Sequence, residues 1–301
     1  MSKHVTGGKF GGEHSATKLN ALAYYLDAYA TALKGQPNAQ RPFRLHYIDA
    51  FAGKGTFAPK LNKDTGEATP EERAGSAKVA LAVPGFKNYV FIELNKRHCD
   101  ALQELADAEP VGRVFVRPGN ANDILPQVLE AIDWKNSRGV LFLDPYGMQL
   151  RWEVLEQAAA TKALDVWYLF PLSAVLRQMP RSKGALDESK TEALNRLLGT
   201  EEWRTFYQPP RMGDLFGSVD DERDADADAV LEWFSGRLRE RFAYVAPPAK
   251  LMMGSGSNAT AGPALFALYF MVSNPARAAT DLARKLSTGV LERLRKAGAV
   301  A

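Results

Sequence analysis

Asp144-Pro145-Tyr146-Gly147 follows the apolar run Gly139 to Leu143, and its residue types suit chemistry on an amine. An exocyclic amine on an aromatic ring is a poor nucleophile, because its lone pair is delocalised into the ring. Two acceptors bonded to its N–H groups draw the nitrogen towards a tetrahedral shape and localise that pair. The Asp144 carboxylate and the Pro145 backbone carbonyl are candidates for those acceptors. Proline fixes the backbone and brings no competing N–H. Tyr146 offers a ring face for stacking a planar base, and Gly147 leaves room for it. Group transfer to such a nitrogen depends mostly on alignment, so positioning supplies much of the rate. The plainer reading of the same four residues is a strand end closed by a proline turn.

A second stretch, YIDAFAGKGTF from Tyr47 to Phe57, supplies a candidate nucleotide loop. An apolar run ends in Asp49 and enters the turn Gly53-Lys54-Gly55. Glycines let a backbone turn sharply and approach a ligand closely. A phosphate-binding G-x-x-x-x-G-K-[ST] loop is excluded, since Ile48 stands five residues before Gly53 and Gly55 follows Lys54. A dinucleotide loop finds Gly53 and Gly55 but meets Ala58 and Pro59 where its third glycine belongs. The acid also disfavours that reading, and with it a dehydrogenase, because it repels a pyrophosphate. The pattern hydrophobic-hydrophobic-(D/E)-x-x-x-G-x-G of S-adenosylmethionine (SAM) loops fits best, with Asp49 four residues before Gly53.

Further polar groups follow later strands, at the edge where open parallel sheets bind ligands. Glu93 ends YVFIE and is suited to accept both ribose hydroxyls of an adenosine. The loop Gly119 to Asp123 follows the third strand, where Asn122 or Asp123 can pair with an adenine amino group. The expected cofactor set is Asp49, Phe51, Ala52, Gly53, Gly55, Glu93, Leu94, Asn120, Asn122 and Asp123. Acids at strand ends also serve as helix caps, and four in register argue against that account for all of them.

The elements that position these groups alternate. Apolar residues at helical spacing predict a helix over 15–33, capped by Ser15. Strands are expected at 43–51, 89–93, 114–117, 139–143 and 165–170. Helices are expected between them, one restarting at Ser76 as its cap. Such alternation predicts a doubly wound α/β sheet. Pro59 to Glu72 reads as an inserted loop. Residues 172–240 read as helical, with a polar break at Gln208 to Asp214 and an acidic run at Asp220 to Asp228 leading into a helix. That run is expected to favour the helix dipole rather than to bind a basic partner. Strand-like runs at 241–245 and 265–273 form a closing antiparallel pair, and a helix at 278–296 ends the chain. The expected division is an N-terminal segment and helix (1–40), a SAM-binding α/β core (41–172), a helical insertion that could meet substrate or partner (173–240), and the strand pair with the last helix (241–301).

Composition sets limits. At 301 residues and 46% hydrophobic, the chain can bury one large core. A net charge of +3 permits nucleic-acid binding without arguing for it. One cysteine, Cys99, excludes a disulfide framework within the chain, and the four histidines have no metal-ligand spacing, so no metal site is expected. Neither an 18-residue apolar span nor a signal peptide is evident, which predicts a cytoplasmic protein away from membranes. Cys99 and His46 read as packed residues. His14, Thr17 and Lys18 read as a solvated helix start that could fold over a cofactor carboxylate. Arg177, Arg181 and Lys183 could meet phosphates but read as surface charge.

YIDAFAGKGTF, GSA at 75–77, FIELNKRHCDAL, GNANDIL, LFLDPYG, FALYFMVSN and the T-K-L-x-x-L-x-x-Y-L pattern from Thr17 together resemble the three-Cys-motif partner (TcmP) family. The resemblance spans most of the chain and is weakest around 220–228. It implies a class I SAM-dependent methyltransferase-like fold, a mostly parallel seven-stranded Rossmann-like sheet. It also implies a neighbouring-gene partner with a three-cysteine motif of radical-SAM type. Asp144-Pro145-Tyr146 is similar to the D-P-P-Y motif of amino-methylating nucleic-acid enzymes, but Tyr146 takes the second proline's place and Gly147 the aromatic's. It is closer to the D-P-F-G form of tRNA guanine-N2 methyltransferases. The activity so implied is N-methylation of a base in RNA or DNA. The alternative is a catalytically silent SAM-binding partner of the three-cysteine protein.

Overall fold

The computed structural model describes residues 13–57, 73–209, 221–252 and 264–296. Its centre is built from the short apolar runs, which need burial on both faces of a sheet. β1 (Arg44–Asp49), β2 (Asn88–Glu93), β3 (Val114–Pro118), β4 (Ser137–Leu143) and β5 (Leu164–Phe170) lie parallel in the order β3-β2-β1-β4-β5. β5 is buried along its whole length and β1 from Leu45 onward, whereas the edge strand β3 is partly exposed throughout.

β6 (Tyr244–Val245) and β7 (Ala249–Met252) both pair antiparallel with β8 (Ala264–Val272), which itself runs antiparallel to β5. Pro247 and Pro248 separate β6 from β7, and lacking N–H groups they interrupt what is otherwise one strand. Counted so, the sheet has seven strands in the class I methyltransferase-like arrangement expected, closed by an antiparallel pair. β7 falls between the strands expected at 241–245 and 265–273, because the two prolines hide its continuity with β6.

Nine helices are described: α1 (Glu13–Leu33), α2 (Ser76–Leu81), α3 (Lys96–Asp107), α4 (Ala121–Ala131), α5 (Trp152–Ala160), α6 (Leu172–Gln178), α7 (Glu188–Leu198), α8 (Ala227–Arg239) and α9 (Arg277–Lys296). One core, under α4 to α8, joins Leu141 and Tyr168 of the sheet to Val175, Leu194 and Phe234. The other, under α1, α2, α3 and α9, joins Tyr47 and Trp167 to Tyr25, Leu102 and Val290. Helices of the expected insertion therefore pack on the sheet beside α4 and α5. Ser76 is the first residue of α2 rather than its cap, a position held by Gly75.

The acidic run is engaged by its own chain. Asp226 caps α8 by accepting from the Ala229 N–H at 2.8 Å, and Asp228 meets Lys250 at 2.8 Å. Asp221 pairs with Lys183 and Glu222 with Arg181, which accounts for two of the three cations noted after β5. The segment 1–12, the insertion 59–72, the polar break beyond residue 209 and the 253–263 connection lie outside the described residues. No described helix is long and apolar enough to cross a membrane.

Candidate active site

Register brings the candidate groups together. Asp49 at the end of β1 lies opposite Phe91 of β2 on one side and Phe142 of β4 on the other. Glu93 and Asp144 each stand two residues beyond those partners. Their backbones therefore flank β1 at one height, two strand spacings or roughly 10 Å apart. The loop leaving β1 passes between them.

That loop is held by neighbours on both sides. Gly53 and Gly55 have φ of 61° and 75°, where a side chain is strained. The Gly53 N–H donates to Glu93 Oε2 at 2.9 Å, the Asn95 N–H donates to Glu93 Oε1 at 2.7 Å, and the Ala52 N–H donates to the Ile92 carbonyl at 3.1 Å. Glu93 thus braces the glycine loop with both carboxylate oxygens, with His98 Nδ1 3.6 Å from Oε1 and 13% of the Glu93 side chain exposed. On the other flank, a ribbon pairs Thr56–Phe57 with Arg73–Ala74 and returns the chain to Gly75. Gly75 donates to the Gly55 carbonyl at 2.8 Å. A Cβ on Gly75 would lie 2.7 Å from the Gly55 carbonyl carbon and 2.8 Å from its oxygen. Read locally, Gly75 does no more than precede a helix. No local signal reveals that it packs against a backbone twenty positions away.

Asp49 is placed differently from expectation. Its side chain is wholly buried behind the loop. It accepts from the Phe51 N–H at 3.2 Å, from the Tyr47 hydroxyl at 3.4 Å and from the Ser76 hydroxyl. Burial raises its pKa to about 7, and the charge of Asp144 pushes the same way, while the hydrogen bonds from Ser76 and Phe51 oppose both. Asp49 fastens the loop from beneath; it has no face towards a ligand. Ala52 is buried and Phe51 packs partly on the core. Leu94, next to Glu93, is 70% exposed and forms an apolar step at the sheet edge.

The loop after β3 sorts the remaining candidates. Asn120 caps α4, accepting from the Asn122 N–H at 2.9 Å. Asn122 donates to the Gln149 carbonyl at 2.8 Å and accepts from the Arg151 N–H at 2.8 Å, so both ends of its amide hold the segment after β4. Asp123 lies in the first turn of α4 and is exposed, with Arg151 at 3.5 Å. Of the two residues proposed for an adenine amine, only Asp123 keeps an outward acceptor.

At the turn after β4, Pro145 is buried, Tyr146 is 63% exposed and Gly147 has φ of 61°. Lys18 Nζ forms an ion pair with Asp144 Oδ2 and lies 6.0 Å from the Phe142 ring. Lys18 is therefore no solvated helix start: α1 delivers it into the candidate site, with 11% of its side chain exposed. Helical periodicity could not find it, because its partner lies 126 positions away. The side chains of His14 and Thr17 lie outside the described residues. His46 bonds Ser137 at 3.2 Å with a pKa lowered by burial to about 4, and Cys99 donates to the Glu93 carbonyl.

These groups fit an adenosyl cofactor in kind: a carboxylate ending β2, an apolar step beside it, and a glycine loop between. A Cβ on Gly53 would meet nothing within 4 Å, so the loop's outer side is open to a ligand. Neither a family model nor a curated protein matches the chain. Among solved structures, the chain is similar to LPL1258 of Legionella pneumophila, of family DUF519, at 13% identity and TM-score 0.49, covering 93% of this chain and 92% of that one. It is also similar to yhhF, a candidate methyltransferase of Escherichia coli, at 14% identity and TM-score 0.30, covering 56% and 74%. HI0767, a candidate methylase of Haemophilus influenzae, is similar at 18% identity and TM-score 0.28, covering 52% and 72%. The fold assignment rests on strand order and register rather than on these likenesses.

Proposed function

We propose that the protein is a SAM-dependent methyltransferase acting on an exocyclic amine of a nucleic-acid base. The observation that carries this reading is the placement of the Asp144-Pro145-Tyr146-Gly147 turn across β1 from Glu93, with the glycine loop between. Glu93, Leu94, Asp123 and the Gly53–Gly55 backbone would hold SAM, with Asp49 and Gly75 fixing the loop. When bound, SAM supplies a methyl carbon made electrophilic by its sulfonium, with a neutral thioether as leaving group. Asp144 Oδ1 and the Pro145 carbonyl accept from the two amine N–H groups and localise the nitrogen lone pair. Tyr146 stacks on the base and sets its distance from the loop. Lys18 binds Oδ2 and so fixes the rotation of the Asp144 carboxylate. After the N–C bond forms, the nitrogen carries one surplus proton, and Asp144 is its nearest base.

The Lys18 pair also favours a second reading. It occupies one of the two oxygens the chemistry would use, as expected of a SAM-binding protein that performs no transfer and serves a three-Cys-motif partner. Titration with SAM and with NAD by calorimetry tests both readings, since each requires SAM to bind. Methyl incorporation from labelled SAM into total RNA and DNA then separates them. The enzyme reading expects incorporation by the native chain and at least a hundredfold less by Asp144→Ala. Equal incorporation by the two proteins removes Asp144 from the mechanism.

A further inference from the structure

We infer that the outer face of α9, towards its carboxyl end, docks the phosphate backbone of a nucleic-acid substrate; this rests on the base-methylation reading above. α9 carries Arg277, Arg284, Lys285, Arg293, Arg295 and Lys296 against Asp281 and Glu292, a net charge of +4 from six cations and two acids. The whole chain carries +3, so its positive excess is concentrated on this helix. Ala283, Ser287, Val290 and Leu294 seat α9 on the core, with Leu286 and Leu291 partly buried beside them.

Three of the cations are engaged by the protein itself. Arg277 lies 3.6 Å from Asp281, Arg284 stands over the Tyr244 ring at 5.0 Å, and Arg293 over the Tyr24 ring at 3.9 Å. Lys285, Arg295 and Lys296 are exposed and have no ion pair or hydrogen bond among the described residues. Lys285 and Lys296 are about three helical turns apart and share a face, with Glu292 between them. Cations in a last turn also complement the helix dipole, which accounts for Arg295 and Lys296 but not for Lys285.

The direction of α9 sets Arg295 and Lys296 at the candidate site's end of the sheet, with Lys285 eleven residues, or about 16 Å, further down the same helix. α1 descends from Lys18, at Asp144 beyond the carboxyl end of β4, to Tyr29, whose hydroxyl meets the Gly139 carbonyl near the start of β4. α9 packs against α1 and ascends, with Arg284 level with Tyr244 and Arg293 level with Tyr24. Lys296 is three residues beyond Arg293, and Lys18 is six before Tyr24. The end of α9 therefore reaches within about one helical turn, roughly 5 Å, of the height of Lys18. A base at Asp144 would have its flanking phosphates at this end of the molecule. The exposed cations Lys34, Arg41 and Lys135 lie at the opposite end, beside the start of β1.

The test compares three proteins: the native chain, Lys285→Gln/Arg295→Gln/Lys296→Gln, and Lys34→Gln/Arg41→Gln/Lys135→Gln, which removes the same charge from the far end. Each is titrated with SAM, and then with a fluorescein-labelled 20-nucleotide RNA and the matching single-stranded DNA over 50 to 200 mM salt. The α9 variant should keep its SAM affinity, lose at least tenfold in nucleic-acid affinity, and show a log–log salt slope shallower by about 2. Single substitutions should each account for about a third of that change. The far-end variant should bind as the native chain does. Equal losses in both variants would mean that net charge alone acts, and would overturn the assignment. Unchanged affinity and slope in the α9 variant overturn it while leaving the base-methylation reading standing. A native chain that binds neither RNA nor DNA overturns both.

Discussion

Gly75→Ala isolates the contact that fixes the glycine loop. Gly75 has φ −83° and ψ −179°, an extended conformation that alanine adopts without strain. Space alone excludes a side chain there. A methyl group would lie 2.7 Å from the Gly55 carbonyl carbon, about 0.7 Å inside the 3.4 Å at which ordinary contact begins. The obstacle is backbone and cannot rotate aside. Either α2 and the ribbon move away from the loop, or Gly55 moves into the cleft. Overpacking of this kind costs about 1–3 kcal/mol. If the loop yields, most of that appears as weaker binding, about 10- to 100-fold in the Kd for SAM. If α2 yields, it appears as lost stability. Urea denaturation and calorimetry on one preparation measure both parts, and their sum should reach at least about 1 kcal/mol. Gly53→Ala is the comparison: nothing lies within 4 Å of its Cβ, so only positive-φ strain of roughly 1–2 kcal/mol applies. Gly75→Ala with native stability and native SAM affinity would refute the argument that backbone packing holds the loop.

Further outcomes follow from the same geometry. Lys18→Met should lower kcat for methyl transfer by about 10- to 100-fold, the loss of one charged hydrogen bond, while stability changes little because Asp144 keeps 31% of its side chain exposed. A gain in transfer would favour the silent-partner reading instead. Asp49 and Asp165 are both buried with pKa raised to about 7, burial being the largest cause in each, and Asp165 receives the Tyr25 hydroxyl. The folded state then keeps protons that the unfolded chain releases near pH 4, so stability is greatest below about pH 4 for these groups and falls as pH rises to about 7. Each contributes a slope of about −1.4 kcal/mol per pH unit in that window. Asp165→Asn should remove one of the two slopes, and denaturation curves from pH 4.5 to 8 that stay parallel to native would refute it. Asn122→Ala should lower stability by about 1–2 kcal/mol and raise the KM for the methyl acceptor, since it frees the segment after β4 from α4.

The sequence by itself determined the alternation of strands and helices, because apolar runs of strand length and helical periodicities are local properties. It also determined which residues end β1, β2 and β4, since the acid that closes each run is adjacent to it. It missed β7, whose continuity Pro247 and Pro248 interrupt, and it mistook Ser76 for a cap although that hydroxyl faces Asp49. Roles that depend on distant partners were decided only by tertiary structure. Asp49 became a buried brace because α2 covers it, and Lys18 entered the candidate site because α1 packs across the sheet towards Asp144. Gly75 came to pack against the loop because a ribbon folds it onto Gly55. A residue's chemistry is written in its side chain, but its exposure and partners are set by elements that packing brings from elsewhere in the chain.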